Sequence, residues 1–249
     1  MKKIDLEQLY GYVENNISFF HQRRLDYIQN KIDLLKILKQ KNPYLFKAKN
    51  VLTAQDLVKG FIDAFLQSQE ETLFGDFIEG LAFFVCDKVH GAKKSELTGI
   101  DLEFEIGDII YAVQTKAGWN WGNSSQIRQL RVNFENAKKA LSEKTSKKVI
   151  AINGCCFGKD NKPDKGGYLK LCGQRFWELI SGETNLYIDI IEPIGYKAKQ
   201  KNDEFFESYA QIVNKLTLEF SQKYCYDGKI NWARLVEYNS GFKKVRGTD

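Results

Sequence analysis

The sequence predicts an α/β protein: a central mixed β-sheet flanked by helices, with helical additions at its N- and C-terminal ends. Three observations predict it. Apolar residues recur at helical spacing over 5–41 and again over 203–224. The period switches to two at Leu102-Glu103-Phe104-Glu105-Ile106. A further helix and the apolar run Lys148 to Cys155 then complete an order of helices, hairpin, helix, strand, strand and helix.

In the first segment Leu6, Leu9, Tyr10, Val13, Ile17 and Phe20 mark one apolar face, continued by Leu25, Ile28, Ile32, Leu35 and Leu38. The Lys41-Asn42-Pro43 step ends the run, because the residue before proline disfavours helix. Thr53 is the expected N-cap of a helix near 54–67, and a second helix is expected over 71–89. Gly107-Asp108 reads as a two-residue hairpin turn between strands 102–106 and 109–114. A polar loop over 118–124 leads to a helix near 125–143, capped by Ser124 or Ser125. After the strand at 148–155 come a loop to Gly167, a short strand at 168–172, and a helix at 174–180 ending at Gly182. Leu186 to Ile191 reads as strand. These elements are expected to form one domain over 1–249, with a helical region at 1–50, a catalytic core at 54–191 and a C-terminal helical region at 203–249.

The chain has 249 residues, 43% hydrophobic and 28% charged, which excludes wholesale disorder. No stretch approaches the ~18 uncharged apolar residues that a membrane span needs. The N-terminus opens on a polar helix rather than an apolar leader, so the cytoplasm is the expected compartment. Five cysteines in no paired spacing and two histidines argue against a disulfide framework or a zinc site. Cys86, Cys155, Cys156, Cys172 and Cys225 are read as buried or bystander thiols. The net charge of +5 is unevenly spread. Residues 56–110 hold 4 bases against 12 acids, and 111–148 hold 8 bases against 2 acids. An acidic block followed by a basic one is either two solvated faces or a metal site facing a polyanion.

With Gly107 and Asp108 as turn residues, Asp101 falls opposite Gln114 and Glu103 opposite Ala112, with Lys116 two residues further along. One face then gathers a carboxylate, an amide and an ammonium, while Leu102, Phe104, Tyr111 and Val113 occupy the core face. Hard oxygen ligands suit Mg²⁺, which polarises a phosphoryl oxygen and acidifies a bound water. A lysine beside it orients that water and offsets charge growing on the phosphate. The same alternation also describes an ordinary solvated hairpin face.

Asp101, twelve intervening residues and Gln114-Thr115-Lys116 resemble the PD-(D/E)xK nuclease motif in a variant form. Glu71 to Glu79 resembles the Gly-x-x-x-Glu element upstream of it in many such enzymes. Asn42-Pro43-Tyr44, Phe74-Gly75, Ile100-Asp101, Lys116-Ala117-Gly118 and Phe176 to Gly182 together resemble type II restriction endonucleases that cut interrupted GG/CC-type palindromes. The similarity spans roughly 40–185. Ile100 replaces the motif's proline, and Gln114 replaces its second acid, removing one charge from the metal site. The resemblance implies Glu79 as the compensating carboxylate, with Glu103 in reserve. It also implies a homodimer, Mg²⁺ (or Mn²⁺) dependence and a place in the restriction–modification defence of a prokaryotic cell. The metal ligands would be Asp101, Gln114 and Glu79, and the catalytic set these three with Lys116.

The segment after the second hairpin strand supplies DNA-contact candidates: Trp119, Asn120, Trp121, Asn123, Ser124, Ser125 and Gln126, then Arg128 and Arg131 on the helix. Amides read adenine edges, hydroxyls bind phosphate, and arginines bind phosphate or guanine. The alternative is a tryptophan-anchored loop followed by a solvated basic helix. Lys47 and Lys49 form a second basic patch, and Lys159 to Lys165 a third. His21 is read as a surface or interhelix hydrogen-bonder and His90 as a helix-end residue; Lys243, Lys244 and Arg246 carry no inference. No Ser or Cys nucleophile signature and no GxxxxGK[ST] loop occurs, so no nucleotide cofactor is expected. The apolar faces of 5–41 and 203–224 are candidate dimer surfaces. Two other readings share this core: a structure-specific repair or junction nuclease, and a DNA-binding protein weakened at Gln114.

Overall fold

A computed structural model describes residues 3–242; Lys243, Lys244 and Arg246 lie outside the described residues. The chain forms α1 (Leu6–Asn30), α2 (Leu34–Gln40), α3 (Pro43–Ala48), α4 (Ala54–His90), β1 (Lys93–Lys94), β2 (Leu102–Ile106) and β3 (Ile109–Gly118). There follow α5 (Ser124–Ser142), β4 (Lys148–Phe157), β5 (Leu169–Cys172), α6 (Gln174–Ser181), α7 (Leu186–Asp189) and α8 (Ile191–Ile194). The chain continues through α9 (Ala198–Tyr224), β6 (Cys225–Tyr226), β7 (Lys229–Ile230) and α10 (Trp232–Ser240). Two compact units emerge: one holds the chain up to Ser18 and Phe74–Tyr196, the other Phe19–Leu73 and the chain from Lys197. They are drawn differently from the segments read in the sequence, because α1 and α4 contribute to both.

The first unit carries a mixed five-stranded sheet in the order β1-β2-β3-β4-β5. The pairs β1–β2 and β2–β3 are antiparallel, and β3–β4 and β4–β5 are parallel. A parallel pair needs a crossover, and α5 supplies the one between β3 and β4. On one face Ile110, Ala112 and Ala151 pack against Leu130, Phe134, Ala137 and Leu141 of α5. On the other, α4 packs at ordinary contact distance and α6 closes on a glycine. A Cβ on Gly75 would lie 3.6 Å from that of Ala117, and one on Gly154 would meet the Phe176 ring at 2.2 Å. With both faces covered, β4 is buried through Ala151 to Cys156, which explains its continuous apolar run.

The second unit is mainly helical. Ile28, Leu34, Ile37, Leu38, Phe61, Leu66, Phe205, Leu216 and Phe220 are among its buried core residues. The apolar stripes of α2 and α9, which marked candidate dimer surfaces, are thus buried within the chain. The β6–β7 hairpin and α10 were not anticipated. Asp227-Gly228, both at positive φ, is the turn signal that would have found them.

Three expectations are corrected. The helices expected at 54–67 and 71–89 are one helix, α4. The intervening Ser68-Gln69-Glu70 contains no breaker, and Gln67 Nε2 donates to Glu71 Oε1 at 3.3 Å across it. Thr53 does cap α4, its Oγ1 accepting from the N–H of Asp56 at 3.0 Å. Leu186 to Ile191 is not strand but α7 running into α8. Its buried residues, Leu186 and Ile190, are four apart while Ile188 is exposed, so the burial is helical despite β-branched composition. The cap of α5 is Asn123, not Ser124 or Ser125. Four of the five cysteines are buried free thiols, as read, and Cys225 is partly buried.

Candidate active site

The hairpin turns at Gly107-Asp108, with Leu102 opposite Val113 and Glu103 opposite Ala112. Gly107 takes φ +58°, a conformation that side chains resist. A regular ladder would next place Asp101 opposite Gln114 and Ile100 opposite Thr115. It does not continue. The N–H of Asp101 donates to Val113 O at 2.8 Å, so Asp101 and Leu102 both oppose Val113 in a β-bulge. The N–H of Thr115, which Ile100 would have accepted, donates instead to Asp101 Oδ2 at 2.6 Å. The Asp101 carboxylate therefore enters the sheet edge beside β3 rather than sharing a face with Glu103 and Gln114. Gly99 makes the preceding bend, with φ +75° and Asn133 packed where a Cβ would stand.

The bulge turns Asp101 toward α4. Glu79, from the middle of that helix, accepts the N–H of Ala117 on Oε1 at 2.8 Å. Glu79, Asp101, Ser95 and Thr115 line one cavity of about 390 Å³. Burial raises the pKa of Glu79 above the ordinary carboxylate range. The Lys116 ammonium and the Ala117 N–H oppose the rise, and the Asp101 and Asp76 carboxylates add to it. Glu79, Asp101 and Lys116 thus share one electrostatic neighbourhood.

Gln114 and Lys116 stand on the alternate pleat of β3, which carries Ala112 toward α5. The Gln114 amide oxygen is buried with no hydrogen-bond partner, and so is the Thr115 hydroxyl. Such an orphaned group costs about 1–3 kcal/mol, a cost that a bound cation or water removes. Lys116 Nζ lies 5.6 Å from the centre of the Trp121 ring. Glu103 is engaged elsewhere, bonded by Ser95 Oγ and 3.9 Å from Lys93 Nζ. Among the described residues no three His, Cys, Asp or Glu side chains form a metal-holding group. Two carboxylates, Glu79 and Asp101, are what this cavity offers a hard cation; Gln114, expected as a third ligand, is not among its lining residues, because it stands on the pleat that faces α5.

Residues 7–202 match the family model of the type II restriction endonuclease EcoO109I. The chain belongs to this family. No curated protein matches it. Members of the EcoO109I family are DNA endonucleases, so the substrate is DNA and the reaction is phosphodiester hydrolysis. No helix among the described residues is long and apolar enough to cross a membrane.

In this EcoO109I-family chain the segment after β3 divides into engaged and open side chains. Asn123 caps α5 by accepting the N–H groups of Ser125 and Gln126, both at 3.1 Å. Gln126 Oε1 accepts the N–H of Asn123 in return at 2.8 Å, and Ser125 Oγ donates to Asn123. Trp121 donates its indole N–H to Asn153 at 3.0 Å. Arg131 Nη1 donates to Gly166 O at 3.3 Å, and its guanidinium lies over the Tyr168 ring. Trp119 is 46% exposed, its carbonyl accepting from Lys170 Nζ at 2.7 Å. Asn120, Ser124 and Arg128 are exposed. Lys47 and Lys49 belong to the second unit, where they lie over the Trp232 and Phe46 rings. His90 Nε2 lies 3.2 Å from Leu179 O at the end of α4. Thr115 and Asn153 were missed by sequence reasoning. Only the polar Asn153 inside the apolar run of β4 gave a signal.

Proposed function

We propose that this protein is a Mg²⁺-dependent, site-specific type II restriction endonuclease with a variant PD-(D/E)xK centre. Mn²⁺ is a substitute metal, and the target is a short palindrome, of the interrupted GG/CC type by the sequence resemblance. The observation that carries this reading is the bulge at Asp101. It brings that carboxylate to the N–H of Thr115 and into one cavity with Glu79.

Asp101 and Glu79 would hold the cation, bound water completing the coordination in place of the acid that Gln114 replaces. The two carboxylates in one cavity are an all-oxygen donor pair that fits a hard ion. When bound, Mg²⁺ supplies Lewis acidity toward the phosphate and a more acidic water. Lys116 positions the attacking water and offsets charge on the phosphate. The Ala117 N–H fixes the free rotation of Glu79, and the Thr115 N–H fixes that of Asp101, so both carboxylates are oriented before DNA arrives. The open side chains of Trp119, Asn120, Ser124 and Arg128 meet the DNA. A homodimer in the cytoplasm of a prokaryotic cell would cut both strands of a two-fold site.

Incubation with phage DNA and Mg²⁺, followed by sequencing of the ends, tests the proposal. Discrete fragments with one common end sequence are expected. Cleavage confined to branched DNA, or retained binding with no cleavage in Mg²⁺ or Mn²⁺, would overturn it. The latter outcome would make Gln114 the mark of a weakened nuclease that now only binds.

A further inference from the structure

We propose that Trp121 and Asn153 are positioning residues for Lys116, an inference that rests on the nuclease reading above. Asn153 is 1% exposed and lies on β4 directly beside Gln114 in the parallel register. Its Oδ1 accepts the Trp121 indole N–H at 3.0 Å, and its Nδ2 donates to the Gln114 carbonyl at 3.4 Å. A buried amide must satisfy both ends, and here each end grips a different part of the site. The indole body packs against the apolar cluster of Ile110, Leu130 and Phe134. Its hydrogen bond and its packing together fix the plane of the ring.

That plane faces Lys116, whose Nζ lies 5.6 Å from the ring centre. An aromatic face attracts an ammonium electrostatically. A lysine side chain has four rotatable carbons and is costly to immobilise for a single task. An anchored indole on one side narrows the volume that the ammonium samples and excludes water there. The sequence reading placed Trp121 among residues that touch DNA. The geometry points to a different job, five residues downstream of the lysine that it steadies. Asn153 acts through Trp121, and Trp121 acts through Lys116; neither touches the reacting phosphate in this account.

The test has two arms on the full chain. In the first, lysines are converted to their charged ¹³C-dimethyl forms, and the Lys116 resonance is identified by its loss in Lys116→Arg. Ring current should displace it upfield from the bulk lysines. Trp121→Phe should keep part of the displacement, and Trp121→Leu should abolish it. A Lys116 resonance at the bulk position, or one unmoved in Trp121→Leu, overturns the proposal. The second arm measures single-turnover cleavage at saturating DNA and, with Ca²⁺ in place of Mg²⁺, DNA affinity. Trp121→Leu should cut about tenfold more slowly or worse, Trp121→Phe less so, with Kd within about twofold of wild type. A raised Kd with an unchanged saturating rate would make Trp121 a DNA contact and overturn it. Absence of cleavage by the wild type would refute the nuclease reading alone, and the resonance would still decide whether Trp121 holds Lys116.

Discussion

Glu79 accepts the backbone N–H of Ala117 at 2.8 Å, tying the middle of α4 to the end of β3. One turn earlier on the same helix, Gly75 faces Ala117 at ordinary packing distance. Burial of this carboxylate favours its protonated form. Between the ordinary carboxylate range and the raised value, the folded protein therefore binds more protons than the unfolded chain. Stability falls as pH rises through that window, and the loss is complete above it.

Glu79→Gln keeps the acceptor and removes the charge. In EDTA at about pH 8 it should melt above the wild type, with the difference closing near pH 4, while in Mg²⁺ its cleavage should be lost. A variant that melts no higher than the wild type at about pH 8 would contradict the assigned burial cost.

Lys116→Ala should lower the cleavage rate by about 10²–10⁴-fold and leave DNA binding in Ca²⁺ intact. Single-turnover cleavage and a filter-binding titration check the two halves separately. Normal cutting by this variant removes Lys116 from the mechanism.

Asn123→Ala removes the oxygen that accepts the N–H groups of Ser125 and Gln126. A lost cap costs about 1 kcal/mol and lowers Tm by about 2–4 °C in a chain of this size. DNA affinity should change little, since the side chain is already engaged. A tenfold loss of affinity would assign Asn123 to the DNA instead.

Gly154→Ala would place a Cβ 2.2 Å from the ring of the fully buried Phe176. Overpacking of this kind costs roughly 1–3 kcal/mol. A thermal melt should show the drop, and Phe176→Leu in the same chain should recover part of it. An unchanged Tm for the single variant would mean that α6 shifts freely over β4.

Much of the fold was legible because it rests on local patterns. The alternation at 102–106 and the Gly-Asp turn predicted the hairpin and its register to the residue, since a two-residue turn leaves one pairing. Asp101, Gln114 and Lys116 could be singled out from that register alone. What the register could not show was the bulge. A regular strand and a bulged one share the same residues up to Leu102, and the departure depends on the bend at Gly99 against Asn133, thirty-four positions away. The helix at Leu186 departs from its strand-like composition for a related reason: its β-branched residues favour strand, but the segment does not join the sheet, whose order ends at β5.

The sequence by itself determined the α/β class, the turn that sets the hairpin, and the residue types from which the proposed nuclease centre is built. Tertiary structure alone decided which of them meet. Glu79 and Asp101 reach one cavity because α4 packs beside the end of β3 and a bulge redirects the strand. Asn153 bridges Gln114 and Trp121 because parallel strands set residues far apart in the chain side by side. Periodicity records the face on which a side chain lies; only packing across elements records what it touches.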